Sequence, residues 1–412
     1  MGLYQLARRA NAQLKKIKKR RAGRILSPVR RIERVFPPAE GRFVAMTFDD
    51  GPTVLPTTSD PNTGLTASLL DTLARFGAKG TFDVIGSTAD NYPDQPGRLG
   101  DFSWSGVQFD HYPRYGEDTL AGAVHQPELI RRILAEGHEI TSHTYSHRLW
   151  GPMRAIYGRR VCFETLSQVT DDLSRLDRYL AEGFGCHVAL SRPPHYIDRI
   201  PDGATAYDAY RILGYQYLAA SFDGAGWQPL PTYEDEVEAM VAPLRRALEA
   251  DPDSLNGQII FQKDGCSMSE RTPVADALPR QLELLTQYGY RVIPVSALLA
   301  LSPFEDLPSR CPEMEDIRFL LSRGQVIGYR SNTFAPGRRL TADEFYIMAA
   351  DPAIFRQARP LSYGEMKRLA RAYAKKQGID FRRDALQGRR SITRLEAVPL
   401  LRALVEKRVW TA

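Results

Sequence analysis

The chain of 412 residues is longer than one ordinary single-core domain, which predicts one large domain and a smaller one. Hydrophobic residues make up 43% and charged residues 25%, as in a globular protein with a sizeable core. No apolar run reaches the roughly 18 residues that a membrane-spanning helix needs, so we expect none. The four cysteines match neither a C-x-x-C metal pattern nor a disulfide framework, so we expect free, buried thiols.

The positive net charge of +6 comes from the N-terminus. Residues 1–34 hold twelve Lys or Arg and one acid, a local charge of +11 that leaves −5 for the rest. We interpret residues 1–38 as a basic amphipathic helix that contacts an anionic surface, or as a solvated basic tail. We expect no nucleic-acid partner. A secretory signal would place an apolar core of about 7–15 residues after the basic start, and none is readable.

Between residues 39 and 301, buried strands alternate with amphipathic helices. The strand candidates are 43–48, 80–86, 139–142, 216–222, 257–262 and 290–295, and the helix candidates are 65–76, 126–137, 163–180, 205–213, 234–250 and 277–288. This alternation predicts an α/β domain with a largely parallel sheet or barrel, whose catalytic groups lie at the carboxyl ends of the strands. The irregular stretch 86–126, rich in aromatic residues, predicts the rim of a sugar-binding groove or a self-packed surface insertion.

Prolines mark residues 302–312 as a linker, and helical patterns beyond it predict a small all-α accessory domain over 313–412. Thr341 and Thr393 each stand three residues before a glutamate at the head of an apolar-spaced helix, the signature of a capping box. Two diverged copies of one helical unit, or two unrelated capped helices, both account for this repetition.

Two acidic and two histidine residues predict a metal site. Asp49 and Asp50 follow one buried strand, and His143 and His147 follow another. Asp50 with the two histidines forms a facial set of ligands for a borderline divalent ion such as Zn²⁺, which leaves positions open for water and substrate. Asp49 would then take a proton from the attacking water. Arg192 would keep Asp49 ionised by lowering the pKa of its carboxyl group.

Three motifs resemble those of the polysaccharide deacetylase family, also called carbohydrate esterase family four. They are TFDDGP at 47–52, GHEITSHTYSH at 137–147 and RPP at 192–194. The resemblance covers roughly residues 40–300 and implies a distorted (β/α)7 barrel that removes acetyl groups from N-acetylated sugars of peptidoglycan, chitin or related polymers. It also implies that Asp49 is the general base and that Arg192 orients it. The metal ligands that it implies are Asp50, His143 and His147, with zinc, cobalt or another divalent ion bound.

The acid side of the site departs from the family pattern. The family ends a late strand in His-Asp, where the His protonates the leaving amine, and this chain has Lys263 at that position. The family also carries an acid immediately before an aromatic residue, and here Gly226 precedes Trp227. Lys263 could be the acid, His195 could take that role, or the amine could leave without a dedicated acid at a cost of about 10²–10⁴ in rate. A structural salt bridge between Lys263 and Asp264 is the non-catalytic alternative.

The sequence as a whole predicts a metal-dependent de-N-acetylase of an acetylated polysaccharide, with Trp227, Phe261 and Tyr196 as substrate contacts. A catalytically weakened carbohydrate-binding protein that keeps the metal is the alternative. The C-terminal region resembles surface-layer-homology repeats, which tether bacterial enzymes to wall polysaccharides, and an ordinary helical domain is the competing interpretation. The resemblance implies a location at the cell wall or cell surface, whereas the lack of a readable signal peptide leaves a cytoplasmic location open.

Overall fold

The computed structural model describes residues 25–38, 40–87, 119–152, 162–267 and 269–409. The described residues divide into two compact units, one within 37–301 and one that combines 25–36 with 302–409. The basic helix predicted at the N-terminus and most of the aromatic-rich rim predicted over 86–126 lie outside the described residues.

A parallel sheet forms the centre of the first unit. Its strands are β1 (Arg42–Asp49), β2 (Thr81–Val84), β3 (Glu139–Ser142), β4 (Leu190–Ser191), β5 (Gln216–Leu218), β6 (Phe222–Asp223), β7 (Ile259–Lys263) and β8 (Tyr290–Val292). They follow the order β5-β4-β3-β2-β1-β7-β6, and β8 pairs with the first half of β1. From Phe43 to Asp49 every residue of β1 is buried, as expected for a central strand with both faces covered.

The sheet curls because the chain itself joins its two edges. Among the strands of this unit, β5 and β6 lie at opposite ends of the order, yet residues 219–221 alone separate them along the chain. A connection of this length reaches at most about 14 Å, so the edges must approach each other. The resulting half-barrel with surrounding helices confirms the predicted distorted (β/α) barrel. The single strand predicted over 216–222 is wrong, because its two ends pair with different neighbours, β4 and β7.

The helices of this unit are α1 (Leu65–Arg75), α2 (Pro127–Ala135), α3 (Leu166–Phe184), α4 (Ala206–Leu213), α5 (Tyr233–Ala250), α6 (Val274–Gln287) and α7 (Val295–Leu301), with a 3-10 turn at Pro194–Tyr196. The start of α3 is set by Thr165, whose side chain accepts the N–H of Gln168, and its end by Gly185 in the left-handed conformation. One apolar stripe of α3 is buried, at Leu166, Val169, Leu173, Leu176 and Leu180. The three- and four-residue spacing of that stripe is the pattern that predicted the helix.

The second unit is helical. Its elements are α8 (Met314–Ser322), α9 (Ala342–Ala349), α10 (Tyr363–Lys376), α11 (Phe381–Leu386) and α12 (Val398–Val409), with a two-residue strand Arg31–Ile32 and a 3-10 turn Pro352–Phe355. Phe304 and Leu307, from the segment 302–312 that we predicted to be a linker, are buried in the apolar core of this unit. The prolines of that segment suggested a linker, but the apolar residues between them pack.

Residues 25–36 also belong to the second unit rather than to a separate tail. The backbone N–H of Ser27 donates to the carbonyl of Gly328 at 3.1 Å, and Leu26 lies in the same apolar core as Phe304. The Arg30 guanidinium donates to the Pro303 carbonyl at 2.6 Å. The boundary that we predicted at residue 38 lies within two residues of the observed one, but residues 25–36 pack into the second unit instead of forming a separate helix or tail. The strong charge of residues 1–34 concealed the apolar positions near their end.

The capping boxes predicted at Thr341 and Thr393 both form. Thr341 Oγ1 accepts the N–H of Glu344 at 3.2 Å, and Thr393 Oγ1 accepts the N–H of Glu396 at 3.3 Å. The first box opens α9 directly, whereas a turn follows the second box before α12 begins at Val398. Local sequence therefore determines both turns, although it determines the start of only one helix.

Two predictions made from composition concern the whole chain. The four cysteines are free, as predicted, but the predicted burial holds only for Cys266, since Cys162, Cys186 and Cys311 are partly exposed. Within the ranges that the structure covers, no helix combines the length and apolar character needed to cross a bilayer.

Candidate metal centre and active site

Asp49 and Asp50 lie where β1 ends. Successive side chains of an extended strand point to opposite faces, which would separate the two carboxylates. Asp50 instead has a left-handed backbone with a φ of 84°. As a result, Asp50 Oδ1 lies 3.3 Å and Asp49 Oδ2 lies 3.9 Å from Nε2 of His143. Both carboxylates are buried, with 2% and 4% of their residues' surface exposed.

The two histidines follow β3 in a tight loop. Thr144 and His147 both have left-handed backbones, with φ values of 76° and 55°. Helix α3 holds this loop through Asp172, whose carboxylate accepts the backbone N–H of Tyr145 at 2.8 Å and that of Ser146 at 3.2 Å. The two imidazole rings of the loop lie 5.1 Å apart as a result. Sequence reasoning missed Asp172, because nothing in the predicted helix distinguishes it from other acids.

Asp50, His143 and His147 form a compact set of ligand atoms. Asp50 Oδ1 lies 3.3 Å from Nε2 of His143 and 3.1 Å from Nε2 of His147. All three residues are buried, and their ligand atoms lie within 4.8 Å of one another. One carboxylate and two imidazoles on one side of a site are the donors that Zn²⁺ and similar ions bind. These residues therefore fit the divalent metal that the sequence predicted.

Asp49 pairs with Arg192 on the side away from the histidines. Arg192 Nη1 donates to Asp49 Oδ1 and, at 3.0 Å, to Thr47 Oγ1. The aromatic rings of Tyr196 and Phe261 lie 5.5 Å and 5.6 Å from the guanidinium carbon. Because Arg192 is fully buried, its charge is not screened by solvent and its orientation is fixed by these contacts. Two predicted substrate contacts, Tyr196 and Phe261, thus lie against the arginine that pairs with Asp49.

Burial raises the pKa of Asp49 to about 6, against the opposite effects of Arg192 and His143. The prediction that Arg192 would hold this pKa low is therefore wrong in its net result. Arg192 acts in the predicted direction, but the loss of solvation around the carboxylate has the larger effect. A general base is most effective when its pKa lies near the working pH, so this shift suits Asp49 to proton transfer.

The environment favours negative charge on Asp50 and positive charge on His143. Burial alone would raise the pKa of Asp50, but Lys263 and the two histidines hold it well below its usual range. Burial would lower the pKa of His143, but the surrounding carboxylates, of which Asp49 is the strongest, raise it to about 10. The buried acids therefore favour a cation at this point, which a proton supplies in the metal-free protein.

Lys263 reaches the same cluster from the neighbouring strand. β1 and β7 pair in parallel, with Asp49 and Lys263 as Cα partners. The Lys263 ammonium Nζ lies 2.5 Å from Asp50 Oδ2, and both side chains are nearly buried. The next residue, Asp264, accepts a hydrogen bond from the Thr66 hydroxyl at 2.7 Å. Lys263 therefore pairs with the candidate metal ligand Asp50, a contact that the sequence did not predict.

The structure places the two other predicted residues at different distances from this cluster. The His195 ring lies 5.5 Å from that of His147, so His195 adjoins a candidate metal ligand. Trp227 is half-buried after β6, where its Nε1 donates to Asp223 at 3.3 Å. Asp223 is the Cα partner of Phe261 on β7, which places Trp227 just beyond the strand that carries Lys263.

Asp83 is a buried carboxylate beside the site that sequence reasoning missed. It is fully buried in β2 and is the Cα partner of Asp49. Its Oδ2 lies 3.1 Å from Nδ1 of His143, and its Oδ1 accepts a hydrogen bond from the Thr141 hydroxyl at 2.6 Å. A charged residue inside an otherwise buried strand was the available signal, since such residues are rarely buried unless they are paired.

Comparison with known proteins agrees with the motifs. The profile of the family described as polysaccharide deacetylase matches residues 37–217, which contain Asp49, Asp50, both histidines and Arg192 but not Lys263. A peptidoglycan-N-acetylglucosamine deacetylase of Bacillus cereus is 26% identical over 266 residues, 64% of this chain and 90% of that protein.

A chitooligosaccharide deacetylase of a Bradyrhizobium species is 31% identical over 269 residues, covering 62% of this chain and 90% of that protein. Among solved structures, the chitin deacetylase of the fungal pathogen Colletotrichum lindemuthianum aligns with a TM-score of 0.42 and 20% identity, over 64% of this chain and 90% of that chain. With its motifs and the extent of these sequence matches, the chain belongs to the polysaccharide deacetylase family.

Proposed function

We propose that this protein is a metal-dependent hydrolase that removes N-acetyl groups from a cell-wall or chitin-like polysaccharide. The observation that carries the proposal is the buried cluster of Asp50, His143 and His147, with the ion pair of Asp49 and Arg192 directly beside it. The relatives are named for peptidoglycan N-acetylglucosamine and for chitooligosaccharides, which supports N-acetylglucosamine polymers as the substrate class.

Asp50, His143 and His147 are the residues that would hold the metal, with Zn²⁺ as the expected ion and Co²⁺ as the alternative. Bound there, such an ion supplies a Lewis acid for the acetyl carbonyl. The protein supplies the remaining groups through Asp49, Arg192 and the side chains around them.

Asp49 is the general base in this proposal. Arg192 binds its Oδ1, while its Oδ2 faces Nε2 of His143 at 3.9 Å, on the side of the metal ligands. As the oxygen of a water molecule bonds to the acetyl carbon, Asp49 accepts the proton that the water loses. The C–N bond then breaks, the sugar nitrogen gains a proton, and acetate and a free amine leave.

Lys263 supplies the proton to the leaving amine in this proposal. Its ammonium lies 2.5 Å from Asp50, which places it beside the metal ligands. His195, whose ring adjoins that of His147, is the second candidate, and departure of the amine without a dedicated acid is the third. The second acid of the family pattern has no counterpart here, since Gly226 stands at its position, and a Cβ there would lie 2.9 Å from Cε of Met240.

Kinetics of single variants separate these three routes. Removal of a general acid lowers kcat by about 10²–10⁴-fold. Lys263→Met should show this loss while His195→Gln changes kcat only a few-fold. The reverse pattern would assign the role to His195. If both variants stay within a few-fold of the wild type, the amine leaves without a dedicated acid.

A second candidate function is carbohydrate binding with weakened catalysis. The favouring observation is that a lysine replaces the expected acid and pairs with the metal ligand Asp50. Glycan binding with bound metal, but without acetate release from any of a range of acetylated glycans, would support this second function.

Acetate release from N-acetylglucosamine oligomers and peptidoglycan fragments tests the primary proposal. Wild-type protein with Zn²⁺ or Co²⁺ should release acetate. Asp49→Asn should bind metal normally but lose about 10²–10⁴-fold in rate. Asp71→Asn, which changes an exposed carboxylate paired with Arg132, is the matched control and should retain activity. Equal rates for Asp49→Asn and wild type would contradict the role of Asp49.

We also propose that the second unit tethers the protein to an anionic wall polymer, which would place it at the cell wall. The support is an exposed basic face at the end of α10, where Arg368, Lys375 and Lys376 are all exposed. Exchange of these three residues for Gln should reduce co-sedimentation of the full-length protein with purified cell walls at low salt, without changing acetate release from soluble oligomers. Unchanged co-sedimentation would contradict the tether, and Lys79→Gln is the control.

A further inference from the structure

We infer that Asp83 is a positioning residue that fixes the orientation of His143, so that Nε2 of this histidine faces the metal cluster. Asp83 is fully buried in β2, beside Asp49 in the sheet. Its Oδ2 lies 3.1 Å from Nδ1 of His143, the nitrogen on the far side of the ring from Asp50. The inference rests on the proposed metal site and adds a residue that lies outside the motifs.

The neighbours of the His143 ring determine which nitrogen carries the proton. Nδ1 lies 2.9 Å from the carbonyl oxygen of Arg192 and 3.1 Å from Asp83 Oδ2. Both of these atoms are acceptors, so Nδ1 must carry the hydrogen. A histidine that binds a metal must be neutral and then carries only one N–H group, so in the metal-bound form the lone pair is on Nε2. That lone pair is directed at the side of the ring where Asp50 Oδ1 lies, 3.3 Å away.

The burial of Asp83 needs a compensating interaction. Removing a carboxylate from water costs several kcal/mol unless a partner and hydrogen bonds replace the solvent. The Thr141 hydroxyl donates to Oδ1 at 2.6 Å. Among the described residues, Oδ2 has no hydrogen bond of good geometry, and its ion-pair contact is with Nδ1 of His143 at 3.1 Å. The charge of Asp83 is therefore directed at His143. An apolar side chain would have filled the same interior position without the cost of burying a carboxylate.

A second metal ion is the competing explanation, since Asp49, Asp83 and His143 also offer ligand atoms within 4.8 Å of one another. Arg192 argues against it, because its guanidinium already donates to Asp49 at this point. In addition, the Arg192 carbonyl engages the His143 nitrogen that faces Asp83. We therefore assign Asp83 to the orientation of a ligand. A carboxylate behind a ligating imidazole also raises its basicity, and loss of such a partner weakens metal binding by about 10–100-fold.

Metal affinity tests this role without relying on turnover. The dissociation constant of Zn²⁺ from the full-length protein can be measured by competition with a chelator of known affinity. Asp83→Asn should raise it by about 10–100-fold and should alter the visible absorption spectrum of the Co²⁺-loaded protein. Glu236→Gln is the matched control, because it changes another buried carboxylate of the same unit, which pairs with Arg271, and it should leave affinity and spectrum unchanged.

The outcomes distinguish this inference from the proposed function. A wild-type protein that binds neither ion overturns the metal-dependent function and the inference together. If the wild type binds metal and Asp83→Asn binds it with the same affinity and the same Co²⁺ spectrum, the inference alone is overturned. If Asp83→Asn does not fold, Thr141→Val replaces it, since this variant removes the hydroxyl bond that holds the Asp83 carboxylate. It should weaken Zn²⁺ binding several-fold, and an unchanged affinity would also overturn the inference.

Discussion

Replacing Lys263 by methionine tests the contact between its ammonium group and Asp50 in the candidate metal site. Lys263→Met keeps an unbranched side chain and removes its charge. In the metal-free protein, Asp50 then loses an ammonium 2.5 Å away, in a pair whose side chains are only 9% and 5% exposed. Removing one partner of a buried ion pair costs about 3–5 kcal/mol. Because both imidazoles still lie beside Asp50, we expect the lower end of that range, about 3 kcal/mol.

A loss of this size is visible in thermal unfolding. For a unit of roughly 250 residues, about 3 kcal/mol corresponds to a fall in Tm of roughly 6–12 °C. Circular dichroism melts of wild type and Lys263→Met, each with EDTA and with excess Zn²⁺, measure it directly. The metal brings the positive charge that the variant lacks, so Zn²⁺ should raise the Tm of Lys263→Met by more than it raises that of wild type.

Arg245→Met is the matched control for loss of a basic residue from the same unit. Arg245 pairs with Glu238 at 2.8 Å, but both side chains are more than 40% exposed, so its loss should cost less than about 1 kcal/mol. The reasoning is refuted if Lys263→Met melts like wild type in EDTA. It is equally refuted if Zn²⁺ stabilises the variant less than the wild type.

Three further predictions concern the scaffold. Asp172→Asn removes the negative charge that accepts two backbone N–H groups of the histidine loop. It should lower the free energy of unfolding by about 1–3 kcal/mol and weaken Zn²⁺ binding several-fold. An unchanged affinity would show that the loop keeps its conformation without this carboxylate. Burial lowers the pKa of His138 to about 4, below its ordinary 6.5. The neutral ring therefore contributes fully to the free energy of unfolding above pH 6.5, and this contribution, about 3 kcal/mol, is lost as the pH falls towards 4. His138→Asn keeps an acceptor for the Gly80 N–H but does not titrate, so its urea-unfolding stability should fall less steeply over this range, and parallel curves would contradict this. Thr341→Ala should destabilise the second unit by about 1 kcal/mol, because it removes the side chain that caps α9, whereas Thr341→Ser keeps a capping hydroxyl and should not. Equal Tm values for the two variants would argue against a stabilising cap at this position.

Local sequence predicted the elements that depend on near neighbours. The strand before Asp49 and the helix capped at Thr341 both form, because a buried apolar run and a capping box act within a few residues. The segment 302–312 shows the limit of this approach. Its prolines suggested a linker, but Phe304 and Leu307 pack against helices far along the chain, a contact that no local pattern specifies.

The same limit applies within the site. Residue types and spacing predicted Asp50, His143 and His147 as candidate ligands, and the structure brings them together. The contact between Lys263 and Asp50 was not predicted, because it depends on the register of β1 against β7 and on the left-handed backbone of Asp50. Asp49 likewise has a raised pKa that only its burial explains, since the sequence showed a neighbouring arginine but not the extent of desolvation.

Acetate release by the full-length protein, with the metal removed and then returned, tests the central claim most directly. We predict that N-acetylglucosamine oligomers are deacetylated by the Zn²⁺- or Co²⁺-loaded protein, that EDTA abolishes the reaction, and that either ion restores it. Acetate release that continues unchanged after the metal is removed would contradict the role of Asp50, His143 and His147. Absence of acetate release from chitin and peptidoglycan substrates by a metal-loaded protein would contradict the assignment as a deacetylase.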